Sequence, residues 1–252
     1  MDIGSLKVGD KITFGAYTCA PDVFPPAPIT WIKASRNCDF ITENAVDYLV
    51  YDAPEGAGGG NPDFALSNLF LFLNGRKWDP WWNKSHEEDR KPDAWAVPRA
   101  IRPPQYGFLS DFAQYEIDAI IPFNINVDGA VTSLVRLPSA DDIFSRELEY
   151  FKRHGVRTRW TVDVVKGKLR YIDADSPSSY AEYWTRSSAS KGVITVSRKA
   201  VASCKVAHLG AGVRPVCTIN PTVPVELYFD KYRVSDTEYR KDFNGEILSL
   251  IE

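Results

Sequence analysis

The residues with the most distinctive chemistry lie between Gly75 and Pro104, in a segment rich in tryptophan and charged side chains. Four of the seven tryptophans of the chain fall within eighteen residues there, beside a run of carboxylates and an arginine. Indole faces stack on the apolar faces of sugar rings while neighbouring polar groups bond the hydroxyls, so the segment predicts a glycan-binding site. Its candidate ligand-binding residues are Trp78, Trp81, Trp82, Trp95 and Arg90.

Two other interpretations of this tryptophan-rich segment remain open. A long loop needs a small core of its own, and the indole rings would supply one. Alternatively, the segment is a subunit contact, because aromatic residues and arginine are enriched at protein interfaces.

Nucleophilic catalysis has little support in the sequence. The chain contains no G-x-S-x-G elbow, Walker loop, H-E-x-x-H pair or Rossmann glycine pattern, and it has only three histidines. Cys204 and His208 are four positions apart, but their segment has strand composition, and side chains at that spacing in a strand lie too far apart to bond. We therefore expect no catalytic residues and no cofactor.

Metal binding is not expected either. The four cysteines show no C-x-x-C spacing, which favours buried free thiols over a zinc site. Residues 124–129 resemble the start of a calcium loop, but position twelve is Val135 rather than a bidentate glutamate, so a tight hairpin is the better interpretation. Asp173 and Asp175 are explained by an exposed turn.

Composition narrows the classes of partner and the location. The chain has 252 residues, 44% of them apolar, and a net charge of -3. This length fits one large or two small domains, and the charge provides no basic field for nucleic acid. Apolar runs fall short of the ~20 residues of a membrane helix, and the N-terminus lacks the apolar region of a signal peptide. We expect no membrane span and no export by that route.

Three helices are predicted in the middle of the chain, over 67–74, 110–121 and 139–155. Each begins at a residue that caps helices, and Gly155 ends the third. The predicted caps are Ser67, then Ser110 or Asp111, then Ser139 with Asp142 in a capping box.

Strands are predicted towards both ends, which favours an α+β fold over alternating βαβ units. Residues 1–220 are expected to form a single domain with the tryptophan-rich insertion at 75–104, and residues 221–252 a C-terminal tail or docking segment. A hairpin is predicted within 123–137, with Asp128-Gly129 at its turn. The remaining predicted strands are 11–14, 29–34, 46–51, 159–165, 168–171, 183–186, 193–197, 201–207 and 213–219.

Six segments, taken in order, resemble the pattern of an uncharacterised bacterial and phage domain family. That pattern has a GDxxxFGxY start, a W strand, a SxLRxWLN helix, an aFxxxE helix, a WxRS strand and a GVRP strand. The matching segments here are VGDKITFGAY (8–17), ITW (29–31), SNLFLFLN (67–74), GFLSDFAQYE (107–116), YWTRS (183–187) and GVRP (212–215). The chain departs from the pattern at Phe70-Leu-Phe72 and in the tryptophan-rich spacer.

The closing motifs of that family are similar to those of formylglycine-generating-enzyme-like and C-type-lectin-like domains. The resemblance implies an α+β fold with small twisted antiparallel sheets, two or three helices and long ordered loops. Trp184, Arg186 and Arg214 fall in the closing motifs, where we expect structural roles. The planar forks of the two arginines suit a carboxylate or loop carbonyls.

The resemblance and the missing catalytic motifs together favour a non-enzymatic binding or structural protein. We expect a phage virion surface component: a decoration, fibre or tail-associated protein that binds a receptor or glycan. Its partners would be other virion subunits or further copies of itself, together with a host-surface glycan or protein. It would be located in the virion after assembly in the host cytoplasm, with the cytoplasm as the alternative location. The alternatives are a formylglycine-generating-enzyme-like cytosolic enzyme that uses Cys204 or Cys217, and a bacterial sugar-binding surface module.

Overall fold

The computed structural model describes residues 1–17, 25–52, 60–76, 107–125, 131–144, 182–190, 192–197, 201–228 and 231–234. These residues form a mixed α+β fold made mostly of strands, which confirms the predicted class. Most strand pairs are antiparallel, but two are parallel. The strands are β1 (Lys11–Tyr17), β2 (Ala27–Lys33), β3 (Asp39–Thr42), β4 (Asp47–Val50), β5 (Ile120–Ile121), β6 (Phe123–Asn124), β7 (Thr132–Ser133), β8 (Tyr183–Ala189), β9 (Gly192–Val196), β10 (Ala202–Lys205), β11 (Gly210–Val213), β12 (Val216–Ile219), β13 (Val225–Tyr228) and β14 (Lys231–Val234).

Two sheets and one short hairpin organise these strands. The larger sheet has the order β13-β14-β1-β2-β3-β12-β5, the smaller one β10-β9-β8-β11-β4, and β6 pairs with β7. One buried cluster contains side chains from both sheets, among them Trp31 of β2 and Trp184 of β8. The two indole N–H groups are satisfied by backbone, since Trp31 donates to the Phe14 carbonyl at 2.7 Å and Trp184 to the Leu49 carbonyl at 2.9 Å.

The first helix, α1 (Asn68–Asn74), confirms the predicted helix and its cap. The Ser67 hydroxyl accepts a hydrogen bond from the Phe70 N–H, which satisfies an otherwise unpaired donor of the first turn. The predicted capping box is also confirmed at α3 (Ala140–Ile143), where Ser139 and Asp142 accept from each other's backbone N–H. The predicted continuation of α3 through Phe144 is wrong, because Phe144 is extended.

The helix predicted over 110–121 is wrong in its bounds. A 3-10 helix (Phe108–Asp111) is followed by two extended residues and then by α2 (Gln114–Asp118), and Ile120–Ile121 is β5. Neither predicted cap starts α2. Instead, Glu116 accepts from the Ala113 N–H at 2.9 Å and from the Gly15 N–H at 2.7 Å, which ties α2 to β1.

Gly15 lies where the register of β1 and β2 shifts, and its φ is +65°. A Cβ at this position would lie 2.3 Å from the ring of Phe112. The extended backbone at Phe112 therefore brings that ring against a strand position that only glycine can occupy, which explains why the predicted helix is interrupted there.

Most predicted strands within the described ranges are present, with two differences. The predicted strand 213–219 is two strands, β11 and β12, because Arg214 and Pro215 separate them and send the chain from the smaller to the larger sheet. β3, β13 and β14 were not predicted. The predicted strands 159–165 and 168–171 lie outside the described residues, as does the Asp128-Gly129 turn between β6 and β7.

The segment after Pro224 begins as part of the larger sheet. β13 and β14 form a hairpin, and β14 pairs with β1 in parallel, with Ile12 opposite Tyr232. The Val225 N–H donates to the Met1 carbonyl at 2.8 Å, so the start of the chain is tied to the same region. Val225–Tyr228 and Lys231–Val234 thus contribute two strands to the body of the protein, and residues 229–230 and 235–252 lie outside the described part.

The N-terminal 3-10 helix (Ile3–Ser5) is held by a buried lysine. Lys33 of β2 directs its ammonium at the carbonyls of Ile3, Gly4 and Leu6, at 3.0, 3.3 and 2.9 Å. Three backbone acceptors therefore satisfy a charged group that is almost fully removed from solvent.

Candidate functional site

The candidate glycan-binding residues cannot be placed, because Trp78, Trp81, Trp82, Trp95 and Arg90 all lie outside the described residues. The glycan site therefore stays a prediction. Trp184, Arg186 and Arg214 of the closing motifs are described, and their surroundings differ.

Trp184 is a core residue. Its side chain is fully buried in β8, its indole N–H is bonded to the Leu49 carbonyl, and its ring meets Tyr51 edge to face at 5.3 Å. No face of this ring is left for a ligand.

Arg214 is fully buried and bonds the protein's own backbone. Its Nε and Nη2 donate to the Thr42 carbonyl at 3.1 and 2.7 Å, and Nη2 also lies 3.3 Å from the Glu43 carbonyl. The guanidinium lies over the Tyr183 ring, 5.0 Å from its centroid. Burial lowers the pKa of Arg214, and burial raises the pKa of Tyr183 to about 12. Arg214 thus holds the chain that leaves β3 against the start of β8.

Arg186 has a different environment, although it belongs to the neighbouring motif. Its backbone N–H donates to the Pro138 carbonyl at 2.9 Å, and its guanidinium lies 5.1 Å from the centroid of the Phe123 ring. Within the described part of the chain, no hydrogen bond or ion pair engages the guanidinium, and its buried Nε has no acceptor. Burial lowers the pKa of Arg186, and the charge of Arg136 lowers it further.

Arg136 lies on the same ring and was not predicted as a site residue. Its guanidinium carbon is 4.6 Å from the Phe123 centroid, and only 5% of the residue is exposed. Nη2 donates to Asp39 at 3.1 Å, and Nη1 lies 3.8 Å from Asp142. Neither Nε nor Nη1 has a hydrogen-bond acceptor.

The backbone around Arg136 is fixed from two sides. Arg136 exchanges backbone hydrogen bonds with Val216 of β12, at 2.9 and 2.7 Å. The Asn74 side chain at the end of α1 accepts from the Leu134 and Val135 N–H groups and donates to the Val135 carbonyl. The guanidinium therefore projects from a rigid support rather than from a free loop.

Asp39 is also held in place before it meets Arg136. Its Oδ1 accepts from the Thr218 hydroxyl at 2.7 Å, and its Oδ2 accepts from the Ser35 hydroxyl at 2.7 Å. Asp142 is committed to the capping box of α3 as well as to the longer contact with Arg136. These two carboxylates face Arg136, whereas neither is within ion-pair distance of Arg186.

The arginine pair consists of Arg136 and Arg186 around Phe123. Each guanidinium is attracted to the ring quadrupole, which offsets part of the repulsion between two like charges. The arrangement presents several N–H donors without acceptors in partly desolvated surroundings, where an unmet donor is costly. This chemistry suits the binding of an oxygen-bearing anion.

No family model, no curated protein and no solved structure matches this chain. The arginine pair therefore has to be judged on its own chemistry. Three or more metal-ligating side chains do not converge anywhere among the described residues. In the same part of the chain, no helix is long and apolar enough to cross a membrane.

The described cysteines do not supply an activated nucleophile beside the arginine pair. Cys217 of β12 is buried near Arg136, but burial raises the pKa of its thiol far above the usual range. Cys38 is also a buried free thiol, as predicted. Cys204 is exposed on β10, so the prediction of burial is wrong there, because β10 is the outermost strand of its sheet. Cys19 lies outside the described residues.

A further buried polar group lies near the pair. The Tyr51 hydroxyl is buried without a hydrogen-bond partner. Burial raises the pKa of Tyr51 well above its ordinary value, while the charge of Arg186 acts in the opposite direction.

The sequence contains a signal for Arg136. This residue interrupts the otherwise apolar run Leu134 to Leu137, where a charged side chain needs a partner.

Proposed function

We propose that this protein is a non-enzymatic binding or assembly protein on a C-type-lectin-like or formylglycine-generating-enzyme-like scaffold, and that it acts at the surface of a phage virion. The mixed α+β fold and the ordered set of six motifs support this scaffold. The lead role is a decoration, fibre or tail-associated protein that contacts other virion subunits and a host-surface glycan or protein.

One observation carries the proposal: three side chains of the motifs, those of Glu116, Trp184 and Arg214, bond the protein's own backbone. Glu116 links Gly15 to α2, Arg214 holds the Thr42 carbonyl, and Trp184 bonds the Leu49 carbonyl. Residues used in this way build a rigid support and leave no acid–base pair in the motifs. Rigid supports of this kind present binding loops, and the tryptophan-rich segment is the loop that departs most from the family pattern.

The thiol-enzyme alternative requires a cysteine that ionises near neutral pH. Cys217 does not meet this requirement, because burial raises the pKa of its thiol. Cys204 is accessible, but it lies at the edge of the smaller sheet and is turned to solvent rather than into a site with a base. The other alternative, a bacterial sugar-binding module, would be favoured if the isolated monomer of this protein bound soluble glycans.

The test is the native mass, measured by light scattering on the full chain and on a chain that ends after Val234. This boundary keeps β13 and β14, which pair with β1. We expect the full chain to form an oligomer whose mass is a multiple of 28.3 kDa, and the shortened chain to lose it. Circular dichroism of both chains checks that the fold is kept.

A stable monomer in both forms would contradict the assembly role. A full-length monomer that binds soluble glycans on an array would favour the sugar-binding module. An oligomer that persists without residues 235–252 would keep the assembly role and assign the contacts to the body of the protein.

A further inference from the structure

We propose that Arg186 and Arg136 bind a carboxylate group of a ligand beside the ring of Phe123. This assignment is independent of the virion proposal, since it concerns the chemistry of one site rather than the assembly in which the protein acts. The shared chemistry is the carboxylate, which an acidic sugar or an acidic amino-acid side chain can supply.

The first argument is the number of donors without acceptors. Arg186 Nε, Arg136 Nε and Arg136 Nη1 are all buried and unbonded. Buried donors of this kind are rare in folded proteins, and a cluster of them on charged groups calls for an acceptor. Because Arg136 is almost fully buried, bulk water cannot freely supply that acceptor.

Arg214 provides a comparison within the same protein. It also lies over an aromatic ring, at 5.0 Å from Tyr183, but its donors reach backbone carbonyls. Arg186 lies at nearly the same distance from Phe123 and has the ring contact alone. At Arg214, the ring contact is accompanied by hydrogen bonds to backbone carbonyls. At Arg186, the guanidinium has a similar ring contact but no such acceptors.

The charges around the pair favour a singly charged ligand group. Asp39 and Asp142 face Arg136, and Asp141 and Asp142 act on Arg186 from beyond ion-pair distance. The second charge of a dianionic phosphate would be attracted by the two arginines but repelled by these three carboxylates, so it brings no net gain over a monocarboxylate. A carboxylate also matches the planar fork of a guanidinium with two parallel hydrogen bonds.

A ligand can reach the arginine pair from solvent on the side of Arg186, but not on the side of Arg136. Arg186 and Phe123 are half-buried, whereas Arg136 is almost fully enclosed. We infer that the ligand carboxylate meets Arg186 first and that Arg136 approaches it from the inner side of the ring. Arg186 should therefore determine most of the affinity.

The experiment is an NMR titration of the arginine Nε–Hε signals in the full chain labelled with ¹⁵N. The probes are acetate, glucuronate, blocked glutamate (N-acetylglutamate N-methylamide), glucose and inorganic phosphate. The variants are Arg186→Gln and the matched control Arg76→Gln, since Arg76 is exposed and outside the pair. Urea unfolding of each variant measures its stability.

We expect the three carboxylates to shift the Arg186 signal, glucose to have no effect, and phosphate to bind more weakly than acetate. Followed through the Arg136 signal, which both variants retain, Arg186→Gln should weaken carboxylate binding at least about tenfold, the loss expected for a charge-assisted hydrogen bond, while Arg76→Gln leaves it unchanged. Stronger binding of glucuronate than of blocked glutamate identifies a sugar acid as the source, and the reverse order identifies a protein side chain. Arg186→Gln should not lower the urea midpoint, because the Arg186 guanidinium makes no hydrogen bond or ion pair in the described structure and the backbone N–H bond to Pro138 is kept.

The assignment is wrong if no carboxylate shifts the Arg186 signal, if Arg76 responds equally, or if phosphate binds more tightly than acetate. A marked loss of stability in Arg186→Gln without any carboxylate binding in the parent protein would show a purely structural role. None of these outcomes depends on the oligomeric state, so the virion proposal is tested separately by the light-scattering experiment.

Discussion

Asp47 of β4 is buried, with 5% of the residue exposed, and its replacement by asparagine probes a charge inside the core. The Tyr17 hydroxyl donates to Oδ2 at 2.6 Å, and the Tyr48 N–H donates to Oδ1 at 2.7 Å. Burial outweighs these two hydrogen bonds and raises the pKa of Asp47 from 3.8 to about 6. Asparagine keeps the size of the side chain but carries no charge; its oxygen can accept from the Tyr48 N–H, and its amide N–H can donate to the Tyr17 hydroxyl.

The raised pKa fixes the sign of the pH dependence. The folded protein binds this proton more tightly than the unfolded chain does, so stability falls as pH rises from about 4 to about 6. The rise in pKa from 3.8 to about 6 therefore costs about 3 kcal/mol of unfolding free energy above pH 6. Below pH 4 the carboxyl is protonated in both states and the cost disappears.

The assay is urea unfolding of the parent protein and of Asp47→Asn between pH 4 and pH 8. The stability of Asp47→Asn relative to the parent should increase by about 2.4 kcal/mol across this range, because only the parent carries the buried charge and about 0.6 kcal/mol of its cost is already present at pH 4. All other titrating groups, including Glu116, cancel in this difference. A difference that stays flat, or that decreases with pH, would refute the inference that burial dominates at Asp47.

The Tyr17 hydroxyl provides an internal check on the same carboxyl. Tyr17→Phe removes the hydrogen bond that favours the charged form of Asp47, so the pKa of Asp47 should rise further. The loss of stability with rising pH should then extend to higher pH than in the parent protein. An unchanged midpoint would mean that the phenol does not stabilise the carboxylate.

Three further changes test the scaffold and the thiols. Gly15→Ala should lower the free energy of unfolding in urea by at least about 2 kcal/mol, since φ is +65° and the new Cβ meets the Phe112 ring. The control Gly9→Ala, with φ +98° and open space around the new Cβ, should lower it by about 1 kcal/mol. Lys33→Met should cost about 2 kcal/mol by the same measurement, because it removes the ammonium that bonds three backbone carbonyls, of which Ile3 alone keeps a second donor, the Leu6 N–H. Lys11→Met at an exposed ion pair should cost less than about 1 kcal/mol. Iodoacetamide should label Cys204 in the native protein before the two buried described thiols, as mapped by mass spectrometry, and equal labelling of all three would contradict the described burial.

Local signals in the sequence were sufficient where one side chain satisfies backbone groups close to it in the chain. Ser67 caps α1 and Ser139 pairs with Asp142 at α3, as their spacing predicted. The α+β class followed from the separation of helices and strands along the chain. The two caps depend on interactions between residues three positions apart, so the spacing of residue types along the chain is enough to predict them.

Features that depend on distant residues were missed or misplaced. The break before α2 arises because Phe112 packs against Gly15 and Glu116 bonds the Gly15 N–H, about a hundred residues away in sequence. The arginine pair likewise joins positions 136 and 186 through the ring of Phe123. No periodicity or spacing encodes such contacts, because the fold alone brings these residues together.

Arg186 and Arg214 show why a residue type within a motif does not determine its role. Both belong to closing motifs, both lie over an aromatic ring, and burial lowers the pKa of both. The Arg214 guanidinium donates to the carbonyls of Thr42 and Glu43, so it stabilises the backbone there. Arg186 has no such acceptor in the described structure and retains some exposure. The same motif chemistry therefore yields a structural residue where acceptors are built in, and a candidate ligand-binding residue where they are missing.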